Sequence, residues 1–299
     1  MKGPEVGRLN RDGIVIHDKA EFDGMRAAGQ LSAQILDDIA QHVKPGVTTG
    51  ELDGIIHDQM VAAGARPATL GYKGYPKSSC ISVNHVVCHG IPGNKIPGKI
   101  RNSPRRDDRL ADGDILNIDV TCILDGWYGD TSRMYVAGKL KPFARRLLDA
   151  THTALMKGIE AAVPGNTFGD IGAAIQDYIE GVPSKDERGR ALRTGGTGMS
   201  VVRDFCGHGL GRVFHSAPNV LHFGRPGTGA RIEPGMFFTI EPMVNLGKPE
   251  TRVLKDNWTA ITEDKSLSAQ FEHSIGITED GPELFTVSPG GMFHPTFQD

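Results

Sequence analysis

The sequence has no run of roughly 18 or more apolar residues, the length a membrane-crossing helix needs. Its opening residues, MKGPEVGRLNRDG, lack the apolar centre of a secretion signal. A cytoplasmic protein with no membrane partner is therefore expected. Cysteine is scarce: Cys80, Cys88, Cys122 and Cys206 are scattered without a CxxC pair, which argues against a zinc ribbon and a disulfide framework and leaves reduced thiols as the simplest account. Neither sign of charge dominates. The formal net charge of -3 asks for no nucleic-acid partner. A hydrophobic content of 38% with 23% charged residues describes an ordinary globular chain, and 299 residues can bury a substantial core.

The stretch CGHGLGRVFH, Cys206 to His215, sets two histidines seven residues apart among three glycines. Gly207, Gly209 and Gly211 each weaken a helix by about 1 kcal/mol relative to alanine, so a tight loop or irregular strand is expected. Glycine at alternate positions marks a place where backbone or ligand approaches closely. Elsewhere the chain repeats itself. PGVTTGELDGII (Pro45 to Ile56) and PGNTFGDIGAAI (Pro164 to Ile175) share P-G-x-T-x-G-[ED]-[LI]. In each copy a threonine followed three residues later by an acid, Thr48 with Glu51 and Thr167 with Asp170, is a helix N-cap signal. DGDILNID (Asp112 to Asp119) and PGMFFTIE (Pro234 to Glu241) form a second pair at nearly the same offset. A duplicated α/β unit follows, with halves of about 15–138 and 139–285 in a single domain and an irregular tail, 286–299. Each half is expected to end a strand in a carboxylate, Asp119 or Glu241.

In DILNIDVTCILDGWYGDTS, apolar residues alternate as in a half-buried strand, and Asp125-Gly126 is a hairpin turn signal. A two-residue turn there sets Asp119 opposite Ser132 and makes Asp130 its diagonal neighbour on the same face. Carboxylates so placed repel unless one is protonated or a cation lies between them. Glu241 ends the apolar strand MFFTIEPMV, and Glu272 interrupts the strand-like run SAQFEHSIGIT beside His273. An oxygen-rich set with one or two imidazoles suits Mn, Co or Fe better than a structural zinc. Two charged stretches, 94–109 and 183–198, read as solvated, mobile loops, and the basic run Arg101, Arg105, Arg106 and Arg109 as a solvated face.

Five motifs in order, NIDV, GDTS, CGHGLG, TIEPM and QFEHS, together with GYPKSSCISVNHVVCHGIPG, resemble those of the type I methionine aminopeptidases over about residues 17–286. The resemblance implies the internally duplicated pita-bread α/β fold, with an antiparallel sheet and flanking helices. It also implies two divalent ions, Co, Mn, Fe or Zn, with their physiological identity open. Asp119 would bind one ion, Asp130 and Glu272 would bridge both, and His208 with Glu241 would complete the second. A hydroxide held between the ions would attack the scissile carbonyl, with Glu241 as general base and proton shuttle and His89 and His215 as unligated histidines at the substrate. Tyr72, Tyr75, Cys80, Phe214 and Trp258 would line the methionine pocket. Thr69 and Lys73 depart from the residues that bacterial relatives often carry at the rim, Cys and His. The short span from His215 to Glu241 leaves no room for the helical insertion of the type II enzymes, and no zinc-binding extension is expected at the N-terminus. Nascent peptide N-termini are the expected partners and a monomer the expected state; ribosome docking stays open. The rivals are a prolidase or Xaa-Pro aminopeptidase, which usually carries a further N-terminal domain, and a catalytically silent binding module of the same fold.

Overall fold

The computed structural model describes residues 7–97, 99–100, 103–104, 107–185 and 190–292. Two helix pairs organise it: α1 (Glu21–Ile39) with α2 (Thr49–Ala62), and α3 (Pro142–Ala161) with α4 (Phe168–Glu180). Both second helices start at the repeated motif. Glu51 accepts from the Thr48 N–H at 2.8 Å while Thr48 Oγ1 accepts from the Glu51 N–H at 3.1 Å. The Asp170 carboxylate likewise accepts from the Thr167 N–H and hydroxyl, each at 2.7 Å. These bonds satisfy donors that a helix start leaves unpaired.

The turns before the two helices are held in the same way. Gly46 and Gly165 take φ of 94° and 91°, a region open to glycine. Arg109 and Arg231 donate to the carbonyls of Gly46 and Gly165 at 2.5 and 2.9 Å, and isolated bridges pair Thr48 with Arg109 and Thr167 with Arg231. Both copies of the motif thus carry the same clamp and the same cap. The clamp was visible in the sequence as R-[LI]-x-x-G, in RLADG and RIEPG, and was missed.

The first half is built on a hairpin of two 11-residue strands, Asp114–Leu124 and Trp127–Ala137. Asp125 and Gly126 both have positive φ, 50° and 82°, as a two-residue primed turn requires. Register follows: Asp119 faces Ser132, and Thr121 faces Asp130. The Cys80–Val83 strand pairs along the other edge of Asp114–Leu124, antiparallel, with Cys80 opposite Asp119. In the second half, a five-stranded antiparallel sheet runs Ser216–Val220, Gly207–Gly209, Phe237–Ile240, His273–Thr278, Gly281–Leu284. Each half has its own apolar core. Leu36, Ile56, Ile81, Leu116 and Ile118 belong to the first, and Leu147, Ile171, Ile175, Phe238 and Ile240 to the second.

Three expectations need amendment. The 183–198 stretch is not a plain loop: Val182–Lys185 pairs antiparallel with Ala191–Thr194, and Arg193 reaches Asp177 on α4. Its charges obscure the strand alternation. The run around Glu272 is two strands, Ser268–Gln270 and His273–Thr278, with Glu272 at the crossing between sheets. The tail has no strand through residue 292 but is anchored, since Asp37 accepts from the Ser288 hydroxyl at 2.8 Å and the Gly290 N–H at 2.7 Å. Arg101, Arg105 and Arg106 lie outside the described residues.

Candidate active site

The two acid-bearing sheets meet along one line. The Glu272 N–H donates to the Ser132 carbonyl at 3.1 Å, and Asn117 Nδ2 donates to both Ser132 Oγ, at 3.1 Å, and the Gln270 carbonyl, at 2.8 Å. This seam carries Asp119 and Asp130 up to Glu272 from the first half. From the second half, the Gly207–Gly209 strand packs so tightly against Phe237–Ile240 that a Cβ on Gly207 would lie 2.3 Å from the Thr239 carbonyl oxygen. Glycine is therefore required beside His208, which answers what the glycines of CGHGLGRVFH do. The His208 N–H donates to Thr239 Oγ1 at 3.0 Å, fixing the ring over the acids.

His208 Nε2 lies 3.5 Å from Asp130 Oδ2 and 3.7 Å from Glu241 Oε1. Among the described residues Asp130, His208 and Glu272, all buried, offer three donor atoms mutually within 4.8 Å, a spacing that suits a metal ion. Asp119 and Glu241 line the same cavity but stand outside that tight triple. Burial raises Asp119 and Glu272 well above the usual carboxylate range, and the neighbouring acids add to it. Burial likewise pushes Glu241 up to about 7, with Asp130 adding to it against the pull of His208. Burial lowers the His208 pKa by itself, but the Asp130 hydrogen bond and the charges of Glu241 and Asp130 outweigh it and raise it. So many acids cannot ionise together in one cavity without a cation. Four carboxylates with one imidazole are a fitting donor set for a hard or borderline divalent ion.

The cavity, about 660 Å³, is lined by every site residue expected from the sequence: the four acids and one imidazole above, His89 and His215, and Tyr72, Tyr75, Cys80, Phe214 and Trp258. At its buried end the Tyr75 hydroxyl donates to the Gly90 carbonyl at 2.9 Å, and its ring meets Trp258 edge-on at 5.1 Å. His89 sits between Phe205 and Trp258 with φ of 56°, a left-handed position that is uncommon outside glycine and marks functional sites. His215 is 4.1 Å from the His208 ring and lies flat on Tyr72 at 5.2 Å. Burial, helped by His208, lowers both His89 and His215 to about 4, so both are neutral near pH 7.

Several residues that hold the acids escaped the sequence reading. Thr121 Oγ1 donates to Asp130 Oδ1 at 2.7 Å, Thr239 Oγ1 to Glu241 Oε1 at 2.8 Å, and Gln270 Nε2 to Glu241 Oε2 at 3.1 Å. Each stands two residues from a carboxylate already singled out, where strand alternation puts it on the same face. That signal was available. His222 had none: its fully buried Nε2 accepts the Glu241 N–H at 3.1 Å across 19 residues of sequence.

The model of metallopeptidase family M24 matches residues 23–279. The methionine aminopeptidase of Rickettsia prowazekii (strain Madrid E) is 51% identical over 285 residues, 95% of this chain and 99% of the relative. The chain belongs to metallopeptidase family M24, on its methionine aminopeptidase branch. The crystal structure of the methionine aminopeptidase from Rickettsia prowazekii superposes with a TM-score of 0.80 at 52% identity, covering 91% of this chain and 99% of that one. The prolidase from Pyrococcus horikoshii OT3 matches at a TM-score of 0.60 and 18% identity, with 92% of this chain covering 64% of that one, a likeness of fold alone. The pita-bread architecture of M24 is therefore the fold of this chain, and it is a metal-dependent hydrolase. No helix among the described residues is long and apolar enough to cross a membrane.

Proposed function

We propose that this chain removes the N-terminal methionine from nascent proteins whose second residue is small, in the cytoplasm. One observation carries the reading: a single cavity joins an end of aromatic and sulfur surface to an end of acids and imidazoles. Thioether sulfur packs favourably against aromatic rings, and Tyr72, Tyr75, Phe214 and Trp258 with Cys80 provide that surface. Such a pocket favours methionine over the small or charged side chains of other N-termini.

Asp119, Asp130, His208, Glu241 and Glu272 would hold two divalent ions of the Co, Mn, Fe or Zn kind. When bound, the ions supply a water acidic enough to act near neutral pH and polarise the scissile carbonyl. The chain's own groups do the rest. Glu241, held at both oxygens by Thr239 and Gln270, would take a proton from the attacking water and pass it to the leaving amine. His89 and His215, neutral and uncommitted to the acids, would hydrogen-bond the scissile amide and its carbonyl oxygen.

The test is a peptide panel with chelator-treated protein, with and without added Mn or Co. Release of methionine from Met-Ala-Ser only with metal, and no cleavage of Ala-Pro peptides, is the expected result. Cleavage of Xaa-Pro bonds would assign the chain to prolidase chemistry. No cleavage with any metal would leave a silent binding module.

A further inference from the structure

Lys73 stands at the mouth of the cavity, in the short turn Tyr72–Gly74, with φ of 46° and ψ of 30°. Residues with side chains adopt this left-handed conformation at a cost. Its neighbours Gly71 and Gly74 take the same sign of φ, 82° and 87°, without one. A third glycine would make the turn more cheaply, so the lysine side chain is what the position retains.

The surroundings say what that side chain can do. The lining runs from buried Tyr75, Cys80, Cys88, Met243 and Glu272 outward to exposed Lys73 and Asp204. Lys73 and Asp204 are the exposed lysine and acid at the mouth. Asp204 is occupied, accepting the Thr251 hydroxyl at 2.5 Å. The Lys73 ammonium has no carboxylate within 4.0 Å among the described residues. It lies over the Tyr72 ring instead, 5.2 Å from its centre, a cation-π contact that fixes its place. From the acids outward, His208, His215, Tyr72 and the ammonium succeed one another at 4.1, 5.2 and 5.2 Å. An extended peptide rises about 3.4 Å per residue, so about four residues span that path at its full length, and about three with a long acidic side chain covering the last step.

We propose that Lys73 is a specificity-determining cation that receives a carboxylate carried by the substrate at about its third residue. The proposal rests on the aminopeptidase reading above, which puts the substrate's N-terminus at the acids and its chain through the mouth. An acidic side chain at that place and the terminal carboxylate of a tripeptide present the same chemistry, so the test separates them.

The experiment compares kcat/KM of the metal-loaded protein for Met-Ala-Glu-amide, Met-Ala-Gln-amide, Met-Ala-Ser and Met-Ala-Ser-amide. The wild type is expected to favour Glu over Gln about three- to fivefold at low salt, the scale of a part-exposed ion pair. The preference should reside in KM and fade in about 0.5 M salt as screening shortens the reach of charge. Lys73→Gln should bring the ratio to about one. Lys73→Gly, which relieves the backbone, should do the same with no fall in melting temperature. A preference confined to the free acid of Met-Ala-Ser, also lost in Lys73→Gln, supports the cation and assigns its anion to the chain end. A ratio of one for both pairs in the wild type, or a ratio unchanged in Lys73→Gln, overturns the proposal. Failure to release methionine even from Met-Ala-Gln-amide overturns the aminopeptidase reading instead.

Discussion

The two halves of the molecule begin alike and finish differently. Each has a helix pair, a glycine turn clamped by an arginine, a threonine-acid helix start and a strand leading to an acid. In the first half that strand runs on for 11 residues and returns at once through a tight hairpin, so Asp119 and Asp130 sit inside an unbroken ladder. In the second half the strand stops at Ile240, because Pro242 follows Glu241 and has no N–H to continue it. The Glu241 N–H is left without a ladder partner and goes to His222. One scaffold thus delivers two kinds of acid: short carboxylates fixed inside a ladder, and a longer one at a strand end, steered by side chains.

The contrast can be broken most sharply at the acids themselves. Glu241→Ala should lower kcat by about a thousandfold or more, the upper range of general acid-base contributions, in a protein that still folds. A variant turning over at near the wild-type rate would remove Glu241 from proton transfer. The next largest effect is expected at His222. His222→Leu fills the space but leaves the Glu241 N–H without an acceptor in a buried setting, at a cost of about 1–3 kcal/mol in the free energy of urea unfolding. Methionine release should fall with it, and His222→Gln, which restores an acceptor, should recover most of both. Equal loss in Leu and Gln variants would show that ring packing, and not the hydrogen bond, is what matters.

The helix starts sharpen the likeness between the halves. Thr48→Ala and Thr167→Ala should each cost about 1 kcal/mol in thermal or urea unfolding, and nothing in methionine release. Backbone and hydroxyl hydrogen bonds from Thr48 hold Glu51 below its usual pKa. Partial burial pulls Asp170 up, but bonds from Thr167 and the Gly227 N–H outweigh it and lower it. Both acids therefore titrate lower folded than unfolded. The cap contribution is full above the ordinary carboxylate pKa and fades as pH falls through the folded values, so the variants should approach the wild type in acid.

What the sequence made legible was local. The hairpin register followed from Asp125-Gly126 and strict alternation, and the helix starts from four-residue motifs, because these are settled by neighbours in the chain. The acids were found on the same footing, and their grouping with His208 followed from a family resemblance. His222 and the seam from Asn117 to Gln270 were not legible, since they join segments 19 and 153 residues apart through single hydrogen bonds. The paired strands of 182–194 were hidden by their charges. Lys73 showed in the sequence only as a departure at the rim, and its left-handed backbone is a property of the folded turn.

The central claim is that acids from both halves converge on shared ions, and counting those ions at equilibrium tests it most directly. Chelator-treated protein titrated with Mn or Co at pH 7.5 is expected to bind two ions per chain, and Asp119→Ala one. Affinity should weaken towards pH 5.5, because Glu241 at about 7 then holds a proton that the ions must displace. A single site in the wild type, or two sites surviving in Asp119→Ala, would contradict the account.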